Sequence, residues 1–441
     1  MALIMNWIEW SLDLLSHFGW RSERSSNGSY RPTPPPFNLS PPTLSPKRDL
    51  KKIVAPVDLP YYFSIGYAYD PVPEPPSYIS NSPLVFPRCV SKPCSHISDN
   101  TIQVNPHAAG LPYRSGFNLI RGSRHWKANL DETVKVLEMI AEDNSTTDVE
   151  MSNGLTLAEL AKKQLLPGLE HRMVIATTFM FPSASERRVR IIATLMIMYF
   201  IFDGKIDELA TGGRVYGLRL TFLGNLDKIE ETPEGAPLIK LREEFFAYFK
   251  VPAGTTPSGS TTTTDLQRHL EDTMRGIAEE DGVSGNGGIE MVDALHGAFR
   301  CVHPPEKGFN SLEDYLSFRR LNVGARYLGL IGDHLGIVND IASYEKEARA
   351  LREGTTLDMI NIVAVLQNLM SLPDSVAAKG AAYVYQLQVE AWIVGELDAL
   401  VAHGRLTDEE WWFLEAVFLS VSGNTFFCMT SSRYGGKAAA I

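Results

Sequence analysis

From residue 118 to the C-terminus, apolar side chains recur at every third or fourth position. The pattern covers residues 130–139, 157–169, 188–202, 238–248, 266–278, 312–327, 357–369, 382–400 and 411–427. That period matches a helix with one buried face, and the two-residue alternation of strands is nearly absent. The expected class is therefore all-α. Two stretches interrupt the pattern, AGTTPSGSTTTT at 253–264 and DGVSGNGG at 281–288, and both have the composition of surface loops. The run 191–202 is apolar but too short to cross a bilayer, and Asp203 ends it, which predicts a buried helix and no membrane span.

Upstream the texture differs. Residues 21 to 105 carry PTPPPF, SPPTLSP and PVPEPPSY, a Pro- and Ser-rich composition with little capacity for a core of its own. The expected division is an irregular N-terminal arm over 1–105 and one all-α domain over 106–441. Residues 1–20 contain Glu9 and Asp13 and lack a basic start, so they predict a short packing helix, not a secretory signal.

With 441 residues, 44% of them hydrophobic, the chain can bury a large core. A net charge of −11 argues against a nucleic-acid partner. Cys89, Cys94, Cys301 and Cys428 are too few and scattered for a disulfide framework, which fits a reducing, cytoplasmic location with free thiols.

Two acidic clusters carry candidate chemistry. In IFDGKIDE, Asp203 and Asp207 stand at i and i+4, one turn apart on one helical face. Like charges so placed repel by a few tenths of a kcal/mol unless a cation lies between them. Mg²⁺ suits that role, being a hard ion that takes carboxylate and phosphate oxygens. A solvated helix end is the plain alternative. In GIVNDIASYEKE, Asn339, Ser343 and Glu347 fall at i, i+4 and i+8. They form one column of amide, hydroxyl and carboxylate oxygens, a set suited to Mg²⁺ held jointly with a substrate phosphate. Apolar residues 328–338 precede it, which places the column at the inward-facing end of a core helix.

Asn339-Asp340-x-x-Ser343-x-x-Lys346-Glu347 resembles the NSE metal-binding motif of class I terpene synthases, and Asp203-x-x-x-Asp207 resembles their aspartate-rich motif. Arg319, in YLSFRRLNVGARY, resembles the family's diphosphate-sensing arginine, and Arg433-Tyr434 resembles the Arg-Tyr pair near the end of many fungal cyclases. The motifs follow the family's order over residues 170–436, with fungal sesquiterpene cyclases as the nearest subgroup.

The resemblance implies a class I terpenoid synthase helical bundle and a cyclase acting on a prenyl diphosphate, farnesyl diphosphate by subgroup. It implies three Mg²⁺ ions, with Mn²⁺ as a substitute. Asp203 would bridge two, helped by Asp207, while Asn339, Ser343 and Glu347 would hold the third. Arg319, Lys346, Arg433 and Tyr434 would bind diphosphate, and Tyr199, Phe200, Phe426 and Phe427 are candidates for the cavity wall. Ordinary core packing is an equal alternative for each aromatic. A homodimer is left open. A chain-elongating prenyltransferase and a catalytically impaired homologue are the competing functions.

Two departures stand out. Gly204 replaces the acidic residue that usually follows the first aspartate, on a position turned about 100° from the metal face. Arg319 and Asn339 are separated by 20 positions, where the family has roughly twice that interval. One continuous helix would hold them about 30 Å apart. Three readings follow: a tight hairpin turning near 329–332 with arms of about two turns, a sensor role moved to Arg300 or Arg275, or a translated sequence lacking a segment. The flanking family-like stretches favour the last.

Overall fold

The computed structural model describes residues 65–77, 99–106, 110–111, 113–117, 120–143, 156–209, 265–279, 308–322, 329–354, 359–402 and 408–435. The expected helix at 238–248 and the thiols Cys89, Cys94 and Cys301 lie outside them, as do residues 1–20. Ten α-helices dominate what is described: α1 (Trp126–Glu142), α2 (Leu157–Gln164), α3 (Val174–Met180), α4 (Glu186–Leu209), α5 (Asp265–Ala278), α6 (Leu312–Asn322), α7 (Leu330–Arg352), α8 (Ile362–Leu369), α9 (Ser375–Ala402) and α10 (Asp408–Thr430). The all-α expectation holds. No helix among the described residues is long and apolar enough to cross a membrane.

One small sheet was not expected. Strands β1 (Thr101–Val104) and β2 (Ile120–Ser123) pair antiparallel, with Thr101 opposite Ser123. Each has four residues, too short for alternation to register as a pattern.

Local chemistry sets several boundaries. Thr156 and Glu159 form a reciprocal capping box at the start of α2. Asn361 caps α8, its Oδ1 accepting from the Val363 N–H at 2.9 Å. That cap starts the helix at Ile362, five residues after the apolar pattern begins at 357.

Helix α7 packs on both α9 and α10, α1 packs on α2 and α4, and α6 and α8 lie against α7. Between α3 and α10 the backbones touch: a Cβ at Gly423 would sit 1.8 Å from the Phe179 carbonyl oxygen. Ser420 reinforces the contact by donating to the Met180 carbonyl at 2.5 Å. Gly423→Ala should destabilise the protein by the upper part of the ~1–3 kcal/mol typical of overpacking, because backbone must move. Gly395→Ala, in α9 with nothing near the added methyl, should be neutral or stabilising by roughly 0.5–1 kcal/mol through helix propensity. Thermal unfolding of the two variants checks this contrast.

Part of the Pro-rich arm is built into the core. Ile65, Ala68, Tyr69 and Val72 are buried. The Tyr69 hydroxyl donates to the Ala342 carbonyl on α7 at 2.6 Å, and the Tyr69 N–H donates to the Met429 carbonyl on α10 at 3.0 Å. The Tyr67 hydroxyl reaches the Tyr434 carbonyl at 2.6 Å. Residues 65–77 thus tie the NSE-like helix to the C-terminal segment. A buried carboxylate anchors the next stretch: Glu390 accepts from Ser115 Oγ at 2.8 Å, Gly116 N–H at 2.7 Å and Gln386 Nε2 at 2.9 Å, with His334 Nε2 also at 2.9 Å.

Candidate metal and diphosphate site

The column Asn339, Ser343, Glu347 lies in the middle of α7, not at its end as expected from the preceding apolar run. Helix α7 runs further because Lys346 to Arg352 continue the helical turn without a breaker. Ser343 is buried, and Asn339 and Glu347 are partly exposed.

The short interval closes as a hairpin. Helix α6 ends at Asn322 and α7 begins after Gly329, and Arg319 lies across α7. Its Nη2 donates to Asn339 Oδ1 at 3.4 Å and to Asp340 Oδ1 at 2.6 Å. Gly336 permits the crossing, since a Cβ there would stand 3.3 Å from Arg319 Cγ. Helices α6 and α7, of 11 and 23 residues, pack on each other on either side of the interval. Of the two substitutes, Arg275 sits on α5 in an ion pair with Asp272, and Arg300 lies outside the described residues.

Asp340, one step round the helix from the column, has no exposed side-chain surface. Besides Arg319 it accepts from the Tyr315 hydroxyl and, at Oδ2, from the Ile362 N–H at 2.9 Å. Burial pushes its carboxyl up to about 6, against the pull of the Arg319 guanidinium. Burial would lower Arg319 in turn, but Asp340 overrides it and holds the guanidinium above its ordinary range. With that pair matched, the column itself presents one carboxylate, Glu347.

The C-terminal segment meets the same column. Asn339 Nδ2 donates to the Tyr434 hydroxyl at 2.9 Å. Tyr434 is buried and its ring packs edge-on against Phe427, centroids 5.7 Å apart. The Arg433 guanidinium sits 4.8 Å over the Phe200 ring, near the end of α4. Phe200 precedes Asp203 by three residues, a rise of about 4.5 Å along the helix. Contacts therefore run from α4 through Phe200, Arg433 and Tyr434 to Asn339. The backbone of α4 carries Asp203 and Asp207, but their side chains and that of Tyr199 lie outside the described residues.

Of the aromatic candidates, Phe426 is fully buried and packs against Phe179 and Tyr113, centroids 4.7 and 6.4 Å away. It sits in the α3–α10 core, the ordinary alternative. Phe427 and Phe200 instead touch Tyr434 and Arg433. Lys346 precedes Glu347 on α7 and is partly exposed.

The donor set fits a hard divalent cation. Among the described residues, Asn339 Oδ1 has only a long contact to Arg319, Ser343 Oγ only a 3.5 Å contact to the Asp340 carbonyl, and Glu347 is held through one oxygen by Asn361 at 2.9 Å. Sequence reasoning missed Asn361. Its place before an apolar run could have marked it as a cap, but not its reach to Glu347.

No family model matches the chain. Terpene cyclase 6 of Gibberella fujikuroi is 23% identical over 268 residues, covering 53% of this chain and 70% of that protein. The crystal structure of a-eudesmol synthase overlaps 70% of this chain and 96% of its own, at 17% identity and a TM-score of 0.41. That of 2-methylisoborneol synthase from Streptomyces coelicolor A3(2), in complex with Mg²⁺ and 2-fluoroneryl diphosphate, overlaps 70% of this chain and 93% of its own, at 16% identity and 0.42. Structural scores this low carry no functional weight. The chain is thus similar in sequence to a terpene cyclase, and the order of its motifs resembles that of class I terpene synthases.

Proposed function

We propose that the protein is a Mg²⁺-dependent terpene cyclase that ionises a prenyl diphosphate, farnesyl diphosphate by subgroup resemblance, and closes the cation to a sesquiterpene. The observation that carries this is the Asn339 amide. Its oxygen faces Arg319 and its nitrogen donates to Tyr434, so three separated motifs converge on one side chain. The curated relative named a terpene cyclase supports the same activity.

The roles follow from the chemistry. Bound cations would neutralise the departing diphosphate as its C–O bond breaks. Asp203 and Asp207 from α4, and Asn339, Ser343 and Glu347 from α7, would hold them. Arg433 offers a rigid fork for phosphate oxygens, Lys346 a point charge and Tyr434 a hydroxyl donor. Arg319 would answer diphosphate from its place between Asn339 and Asp340. Phe200 and Phe427, which touch Arg433 and Tyr434, would offer rings that can stabilise positive charge by roughly 0.5–2 kcal/mol each.

Incubation with Mg²⁺ and geranyl, farnesyl or geranylgeranyl diphosphate, read by gas chromatography–mass spectrometry, tests the activity. A cyclic hydrocarbon or alcohol is expected. Longer linear diphosphates would mean a prenyltransferase, and no product an impaired homologue. Gly204→Asp should leave the product profile and rate nearly unchanged in the same assay, because that position faces away from the metal side.

A further inference from the structure

We infer that Asn361 is a positioning residue that orients the Glu347 carboxylate for cation binding. The inference rests on the metal role proposed for Glu347. Asn361 is fully buried at the N-cap of α8. Its amide can donate twice. One N–H goes to the Asp340 carbonyl at 2.8 Å and the other to Glu347 Oε2 at 2.9 Å. Its Oδ1 accepts from the Val363 N–H at 2.9 Å. Turned over, the amide would set oxygen against two acceptors and nitrogen against a donor, so the network permits one orientation.

The consequence falls on Glu347. Asp340 and Glu347 are seven residues apart on α7, nearly in line along one face. Helical side chains lean toward the N-terminus, which brings the Glu347 carboxylate back toward the Asp340 turn. Asn361 bridges the two from the neighbouring helix, and the adjacent Ile362 N–H holds the Asp340 carboxylate at 2.9 Å. One oxygen of Glu347 is thereby fixed by a neutral donor and the other edge remains for a cation. Metal-binding carboxylates need such partners, and losing one typically costs about 10–100-fold in metal affinity.

A plain helix cap would explain the Val363 bond alone, so the test separates the two roles. Asn361→Ser keeps a capping oxygen but cannot reach Glu347. Asn361→Asp keeps the cap and sets a second carboxylate oxygen against Glu347. Full-length wild type, both variants and Glu347→Gln are titrated with Mn²⁺ in the presence of inorganic diphosphate, followed by electron paramagnetic resonance, with thermal unfolding alongside. We expect both Asn361 variants to weaken Mn²⁺ binding by about 10–100-fold. Unchanged binding in either folded variant, with Glu347→Gln weakened, would overturn the positioning role and leave the metal reading standing. Unchanged binding in Glu347→Gln would overturn both. If Asn361→Asp fails to fold, Asn361→Ser decides.

Discussion

Asn339→Ala is expected to lower product formation by at least about 100-fold while leaving the helical fold intact. Two losses combine. The amide oxygen is the first donor of the α7 column, and the amide nitrogen is what holds the Tyr434 hydroxyl at 2.9 Å. Removing one group that stabilises developing charge commonly costs about 10²–10³ in rate. The side chain is only partly buried, so its truncation opens no large cavity. Asp203→Ala, on α4, should match it in effect. Circular dichroism and unfolding would verify the fold, and mass-spectrometric product analysis the loss. Normal product from both variants would contradict the metal assignment.

Asp340→Ala should act on stability instead, by about 3–5 kcal/mol, the cost of leaving a buried ion-pair partner uncompensated. Arg319 is nearly enclosed and would keep its charge without its partner. The Tyr315 hydroxyl and the Ile362 N–H would lose their acceptor as well. Asp340 is thus the pin that joins α6, α7 and the start of α8, although it sits inside the stretch that resembles a metal-binding motif. Denaturant unfolding measures the effect. A loss under 1 kcal/mol would mean that Arg319 finds another counter-charge.

How much of this was legible in the sequence depends on the distance over which each residue acts. The apolar period marked α1, α2, α4, α5, α6, α8, α9 and α10, because one buried face per helix leaves a local trace. The i, i+4, i+8 spacing marked Asn339, Ser343 and Glu347 for the same reason. Residues 65–77 were hidden by composition: proline and serine signal no core, yet Tyr67 and Tyr69 bond to Tyr434 and Ala342, hundreds of positions away. Interval length alone did not show that Arg319 reaches Asn339 and Asp340 across Gly336. The reach of Asn361 to Glu347 and the pinning role of Asp340 left no local signal, since both depend on neighbouring helices.

The most direct test of the central claim is a crystal structure with Mn²⁺ and inorganic diphosphate, the cations located by anomalous scattering. The account predicts Mn²⁺ bound by the carboxylates of α4 and by Asn339, Ser343 and Glu347, with diphosphate between them and Arg433 within reach. Cations bound elsewhere, or Asp203 and Asp207 turned to the far side of the bundle, would contradict it.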